Sequence, residues 1–407
     1  MKNIVILGGG FGGVRTALDL GRNITKHQLQ KEYEVILVDK NNEHTFTPPL
    51  YTIPTLSPQN FSDETAKNLV TFPFKELFKD LPIRFIKDEI EHLDLEQGVV
   101  HLHRSKLSYE YLVLALGAES NYFDIPGLAD SAFSFKSMND ALRLRQKIHD
   151  LFEHKGKELR VVIGGGGPTG VELAARIRYE LGISVTIVEA LPSILPGFQT
   201  DFIQRITDRL KNLGVGILVN SPIARADKDT LFISNGVMVP FDILIWTGGV
   251  KAVGLAQEMP LKREKRGRME VESVLECLPN GTDLRVYGKI YAIGDIACFY
   301  DPITKQPMPQ VARTAIEQGV IAAKNIINCI EKECNPTNVK LQKYNYTPRH
   351  YPYVIPLGGR YGIVQIGSKI FSGFWVWVFK TLIEFNYFCS IMSWKKALVS
   401  WWRLARL

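Results

Sequence analysis

No cysteine stands anywhere before Cys277, and the five that follow, Cys277, Cys298, Cys329, Cys334 and Cys389, form no CxxC pair and no zinc-ligand spacing. Neither a disulfide framework nor a metal site is therefore expected. Also missing is any uninterrupted apolar run of the ~18 residues that a spanning helix needs. The longest aromatic and apolar stretch, between Lys369 and Lys395, is broken by Lys380, Glu384 and Asn386, and is expected to lie on a membrane rather than cross it. The opening MKNIVILGGG carries no basic, apolar or Arg-rich leader before its first strand, so the chain is expected to stay in the compartment where it is made. No compositionally biased tract interrupts the 407 residues. With 45 % hydrophobic and 22 % charged residues they read as two or three folded domains. A net charge of +7 favours anionic partners, but outside the C-terminal tail the basic residues make no aromatic-interleaved patch, so no nucleic acid is expected.

What the sequence does have is one pattern written twice, some 155 residues apart. Strand NIVIL, turn GGGFGG, helix VRTALDLGRNI and strand YEVILVD make the first copy. RVVIG, GGGPTG, VELAARIRYELG and SVTIVEA make the second. Each is a βαβ unit with a glycine turn of the dinucleotide type. In such a turn the first glycine permits the tight bend, the second lets the backbone approach a pyrophosphate, and the third lets helix and strand pack. The helix N-terminus then offers N–H groups and positive partial charge to the phosphates. Gly8, Gly10 and Gly13 fill these places first, with Asp39 closing the second strand to receive ribose hydroxyls. Gly165, Gly167 and Gly170 fill them again, with Glu189 as the acid. Glu189 repels a 2′-phosphate, and Ala190 and Leu191 supply no arginine to hold one, so NADH is favoured over NADPH. Glu172, two residues after the last glycine, has two readings: a carboxylate stabilised by the helix dipole, or one that orients substrate or moves a proton.

After each unit, short alternating segments lead back to a buried strand, YLVLALG and then ILIWTGG, and RVYGKIYAIGDIACF reads as a late return to the first domain. The expected fold class is α/β: two Rossmann-type domains, the second inserted in the first, followed by a C-terminal amphipathic helical module. The domains are placed at 1–115 and 251–330, 116–250, and 331–407.

Two nested dinucleotide domains with ALGAESNYFDIPG and YAIGDIACF near the crossovers look like the two-dinucleotide-binding-domain flavoproteins. There the acid of the second motif, here Asp295, contacts FAD, and Gly294 gives close approach; Asp295 can equally serve as an N-cap before a helix, and the two roles can coexist. Within that superfamily the chain resembles type II NADH dehydrogenases, the single-chain NADH:quinone oxidoreductases. NEHTFTPPLY is similar to their H-x-F-x-P-L-L-Y stretch, with Pro49 for leucine. ILIWTGGV resembles W-x-A-G-V, with Gly248 for alanine. PMPQVARTAIEQG resembles the quinone-site pattern P-x-A-Q-x-A-x-Q-Q-G, with Arg313 and Glu317 in two glutamine positions and Gln318 and Gly319 kept. These two changes fall on one helix face, where they bear on the choice of acceptor or simply pair as a salt bridge.

The resemblance implies FAD and NADH as cofactors, and a flavin set extended to Phe11, Gly12, Lys40, Ile90, Gly117, Val311 and Ala312. It implies an NADH set extended to Pro168, Thr169, Gly248 and Gly249. Glu172, Arg313, Glu317 and Lys380 are the implied catalytic group, Lys380 either beside a quinone carbonyl or snorkelling to water. The tail GSKIFSGFWVWVFKTLIEFNYF resembles the family's membrane-docking segment; its tryptophans suit the headgroup boundary, and Lys395, Lys396, Arg403 and Arg406 suit anionic lipid. The expected partners are thus NADH, a membrane quinone and a lipid surface, at the cytoplasmic face of the cell membrane, and a homodimer is compatible with this. The expected activity is hydride transfer from NADH to FAD and then two electrons to quinone, without proton pumping. The rival readings are an NADH-dependent reductase of a soluble electron carrier and a binding protein governed by its flavin and NADH state. A disulfide reductase or a sulfide:quinone oxidoreductase is disfavoured by the missing cysteines.

Overall fold

The computed structural model of the chain describes residues 1–281, 288–334, 341–349 and 351–406. The start of the expected late strand, residues 285–287, lies outside them. The chain divides into two compact units: Met1–His44, Thr71–Glu119 and Lys251–Arg349 form the first, and Thr45–Val70, Ser120–Val250 and His350–Leu407 the second.

The first unit is built on a five-stranded parallel sheet in the order Ile290–Ala292, Tyr111–Leu114, Lys2–Leu7, Tyr33–Asp39, Ile83–Lys87. Its central strands are apolar without alternation, because helices or loops cover both faces, and Ile4 to Leu7 are fully buried. Helix Phe11–Lys26 buries Val14, Ala17, Leu18, Leu20 and Ile24 along one stripe and carries Arg15 and Asp19 as an i,i+4 pair at 2.9 Å. Helix Ala312–Cys334 packs beside it, and the two backbones meet at glycine: a Cβ on Gly319 would lie 2.8 Å from the Gly12 carbonyl oxygen.

The second unit repeats the same sheet order with Ala132–Ser134, Ile243–Trp246, Arg160–Gly164, Ser184–Val188 and Gly216–Leu218, again all parallel. In both sheets the first strand of the βαβ unit lies beside the crossover strand, so each glycine turn opens at the switch point where a doubly wound sheet binds its ligand. The expected α/β class with one Rossmann-type core set into the other is what the chain adopts.

The C-terminal part of the second unit is an antiparallel meander, Tyr353–Pro356, Gly362–Ile366 and Lys369–Gly373, followed by helices Phe374–Ile391 and Trp394–Leu404. The inner side of the first of these helices is tied to the segment 45–70. The Phe46 ring stacks on Tyr387 at 5.1 Å and meets Phe388 edge-on at 4.9 Å. The indole of Trp401 donates to the Thr381 carbonyl at 2.7 Å, which joins the second helix to the first. Phe374, Trp375, Phe379, Leu382, Ile383, Trp394, Leu398, Val399 and Trp402 are exposed, an apolar population on one pair of helices. No helix among the described residues is long and apolar enough to cross a membrane.

Candidate functional site

The two glycine turns have nearly the same geometry. Gly8 and Gly165 have φ of 104° and 106°, a region that a Cβ makes costly. A Cβ on Gly13 would lie 1.8 Å from the Gly8 carbonyl oxygen, and one on Gly170 would lie 2.1 Å from that of Gly165, so in each unit the third glycine lets the helix close onto the turn. At Gly10 and Gly167, by contrast, a Cβ would meet nothing within 4 Å. These two are also the N-cap residues of helices Phe11–Lys26 and Pro168–Leu181, and neither supplies a side-chain cap. The open space and the uncapped amides coincide. This is the environment that a pyrophosphate fills, and Phe11, Gly12, Pro168 and Thr169 border it.

Each acid closes its cradle from the side. Asp39 accepts from Gly9 N at 2.6 Å and from Asn41 N at 2.7 Å, and Glu189 accepts from Gly166 N at 2.7 Å and Leu191 N at 2.9 Å. A carboxylate has about four lone-pair sites, so each can also receive ribose hydroxyls. His44 supports the first turn from behind. Its Nδ1 lies 3.0 Å from the Gly9 carbonyl, and burial lowers its pKa to about 4, so the ring is neutral and donates through Nδ1. Lys40 is exposed just beyond Asp39, Ile90 opens the strand Ile90–Asp94, and Gly117 turns with φ 72° after the crossover strand.

The segment Gly294–Asp295 is held from helix Ala312–Cys334 and the residues just before it. Gly294 has φ 71°, and its N–H donates to Gln318 Oε1 at 2.7 Å, while Gln310 Nε2 donates to the Asp295 carbonyl at 2.9 Å. Asp295 lies within the 3₁₀ turn Gly294–Ile296, whose N-cap is Ile293. Ala312 begins the helix that carries Gln318, and Val311 immediately precedes it. The glutamine kept from the family pattern thus secures this motif. The two altered positions pair with each other: Arg313 Nε lies 3.7 Å from Glu317 Oε1, Arg313 half-exposed and Glu317 largely covered.

In the second unit four side chains from three separate stretches of the sequence gather. Lys380 Nζ donates to Glu384 Oε1 at 2.6 Å, and lies 5.6 Å from the centroid of Tyr51. Only 15 % of the Lys380 side chain is exposed, so it does not snorkel to water; Glu384, one turn on, gives it a buried partner. Burial alone would lower the Lys380 pKa, but the Glu384 carboxylate and Tyr51 outweigh it and hold the ammonium above its ordinary value. Glu172 is the fourth. Burial pushes its carboxyl up to about 8, with Lys380 pulling it down and Glu384 pushing it up. The helix-dipole reading of Glu172 is overturned. The residue sits in the second turn of Pro168–Leu181, where the dipole has faded, and its charged form is disfavoured, not stabilised. Beside this cluster lies a cavity of about 20 Å³, room for one water, bordered by Tyr51, Arg176, Trp377, Lys380, Thr381 and Glu384. Arg176 carries no signal in the sequence, and Tyr51 appears there only as the last residue of NEHTFTPPLY. The signal for Glu384 was present, since it interrupts the apolar stretch four residues after Lys380.

The chain's first 319 residues settle the family. Residues 2–319 match the model of the pyridine nucleotide-disulphide oxidoreductases. The chain belongs to this family. Among its relatives, the type II NADH:quinone oxidoreductase of Haemophilus influenzae is 29 % identical over 385 residues, covering 85 % of this chain and 83 % of that one. The enzyme of the same name from Staphylococcus saprophyticus is 26 % identical over 394 residues, covering 91 % of each. In three dimensions the chain superposes with a TM-score of 0.82 on NDH2 from Plasmodium falciparum solved with NADH, at 20 % identity over 100 % of this chain and 97 % of that one. The sequence-based resemblance to type II enzymes is thereby borne out. All five cysteines are free, and burial raises the thiol pKa of Cys277 and Cys298.

Proposed function

We infer that this protein is a non-pumping NADH:quinone oxidoreductase, with FAD held by the first unit and NADH by the second. Two cradles with the same open, uncapped helix ends and the same acid-to-amide bonds support the pairing of two dinucleotides. When bound, FAD supplies a two-electron acceptor for hydride and returns the pair to a second substrate. The chain's part is to hold and orient. Gly10, Phe11, Gly12 and Gly13 receive the flavin pyrophosphate, with Asp39 and Lys40 at its ribose. Ile90, Gly117, Gly294, Asp295, Val311 and Ala312 border the rest. Gly165, Gly167, Pro168, Thr169, Gly170 and Glu189 do the same for NADH, with Gly248 and Gly249 on the nicotinamide side.

The observation that carries the reading beyond a generic reductase is Glu172. It holds a proton near neutral pH beside the Lys380–Glu384 pair, directly inward of the most aromatic exposed helices of the chain. A quinone that takes up two electrons also needs protons, and a neutral carboxyl with a pKa near 8 is a suitable donor at the pH of a cell. In this reading Lys380 polarises a quinone carbonyl, and the Arg313–Glu317 pair of the first unit bears separately on the choice of acceptor. In the same reading the helices Phe374–Ile391 and Trp394–Leu404 are the docking module. Its exposed tryptophans and Lys395, Lys396, Arg403 and Arg406 rest on the cytoplasmic face of the cell membrane, where quinone is dissolved. The exposed apolar helices favour quinone over a soluble carrier.

The test is anaerobic addition of NADH to the flavin-loaded protein, followed by steady-state oxidation with a short-tailed quinone and, separately, with soluble one-electron carriers. Bleaching of the flavin and brisk quinone turnover are expected. Bleaching with turnover only on soluble carriers would overturn the quinone assignment.

A further inference from the structure

Among the described residues only one pair of consecutive non-glycine residues has both φ angles positive: Phe123 and Asp124, each at 53°. A bulky side chain in this region is strained, and such strain persists only where surrounding contacts impose it. Burial does not compensate here, because the Phe123 ring is 53 % exposed. The segment is nonetheless fixed by its own bonds. Phe123 N donates to Asn121 Oδ1 at 3.0 Å, and Ile125 N to the Tyr122 carbonyl at 3.1 Å.

The ring rests on the loop that follows strand Ile243–Trp246. A Cβ on Gly249 would come within 2.9 Å of Phe123 Cζ, and the ring meets Trp246 edge-on at 6.4 Å. Two hydrogen bonds fasten the same segments together: Trp246 Nε1 donates to the Asn121 carbonyl at 2.8 Å, and Asn121 N to the Gly249 carbonyl at 3.0 Å. From Trp246 the contact continues inward. Its indole fills the space where a Cβ on Gly248 would be, and Gly248 Cα would lie 2.5 Å from a Cβ on Gly165, the first glycine of the pyrophosphate turn. Phe123 thus stands one layer from the cradle, at the C-terminal end of the crossover strand over which a doubly wound sheet lays its ligand.

We propose that Phe123 is a positioning residue of the NADH site: its ring braces the loop Thr247–Gly249, and its exposed face meets the nicotinamide half of the dinucleotide. The inference rests on the reading that the second unit binds NADH. The strained backbone is what turns the ring outward onto the loop, where a β-region residue would send it elsewhere.

Three variants of the flavin-loaded enzyme test this: Phe123→Ala, Phe123→Tyr and Asp124→Gly. Loss of one aromatic contact raises the KM for NADH about five- to tenfold in Phe123→Ala, while kcat at saturating NADH changes less than about twofold. The dissociation constant of NAD⁺, titrated calorimetrically into the oxidised enzyme, shifts by the same factor. Phe123→Tyr restores both. Asp124→Gly relieves a left-handed residue, so it raises the melting temperature and leaves the KM unchanged. A Phe123→Ala variant with wild-type KM and NAD⁺ affinity overturns the proposal. So does one whose losses track a lowered melting temperature and are not restored by tyrosine. Wild-type protein that never oxidises NADH would instead sink the reading on which the proposal rests.

Discussion

Replacing Glu172 by glutamine removes the ionisable group at the centre of the proposed acceptor site and keeps its shape. The consequence for stability follows from the direction of its shift. Below its ordinary value of 4.5 both the folded and the open chain hold the proton. Between 4.5 and about 8 the fold keeps a proton that the open chain has released, so stability falls as pH rises, and above about 8 the fall is complete. At about 1.4 kcal/mol per pH unit, that window amounts to on the order of 5 kcal/mol, an upper value because water entering around an ionised Glu172 lessens it. Glu172→Gln has no such slope. Urea unfolding at a series of pH values from 5 to 9 is therefore expected to show wild-type stability declining against a flatter variant. In turnover, Glu172→Gln is expected to lower kcat with quinone on the order of 10²-fold and to abolish the alkaline fall centred near 8. NADH should still bleach its flavin. A variant with wild-type quinone turnover and the same alkaline break would refute both the proton assignment and the reasoning from burial.

Three other outcomes are expected. Lys380→Met leaves Glu384 as an uncompensated buried carboxylate and should cost about 3–5 kcal/mol in denaturant unfolding, most of it recovered in the double variant Lys380→Met/Glu384→Leu; equal losses in both would show that the ion pair is not what the site depends on. Gly13→Ala and Gly170→Ala each drive a methyl group into a carbonyl oxygen. The first should purify without flavin, while the second should purify yellow but bleach poorly with NADH; flavin absorbance before and after NADH distinguishes them. The triple variant Trp375→Gln/Trp394→Gln/Trp402→Gln alters only exposed rings, so it should keep its melting temperature and its NADH oxidation with a soluble acceptor, yet no longer sediment with anionic vesicles. Undiminished sedimentation would refute the docking surface.

The sequence by itself determined both glycine turns, their acids and the nesting of one βαβ unit in another. These features obey local rules: a turn that only glycine can make, an apolar run too short for a helix, an acid at a strand end. It also contained both members of the Lys380–Glu384 pair, because a charge in an aromatic helix stands out. What it could not give was their company. Glu172, Tyr51 and Lys380 come from three separate stretches, and only the packing of helices Pro168–Leu181 and Phe374–Ile391 with segment 45–70 puts them together, the burial raising the Glu172 carboxyl. Local propensity would have left Glu172 an ordinary ionised residue. Likewise Gln318 reads as part of a quinone motif, yet its amide oxygen is committed to Gly294, a choice made by how one helix lies against a turn 24 residues away. Side-chain chemistry is written in the sequence; the dielectric and the neighbours that set its protonation are properties of the fold alone.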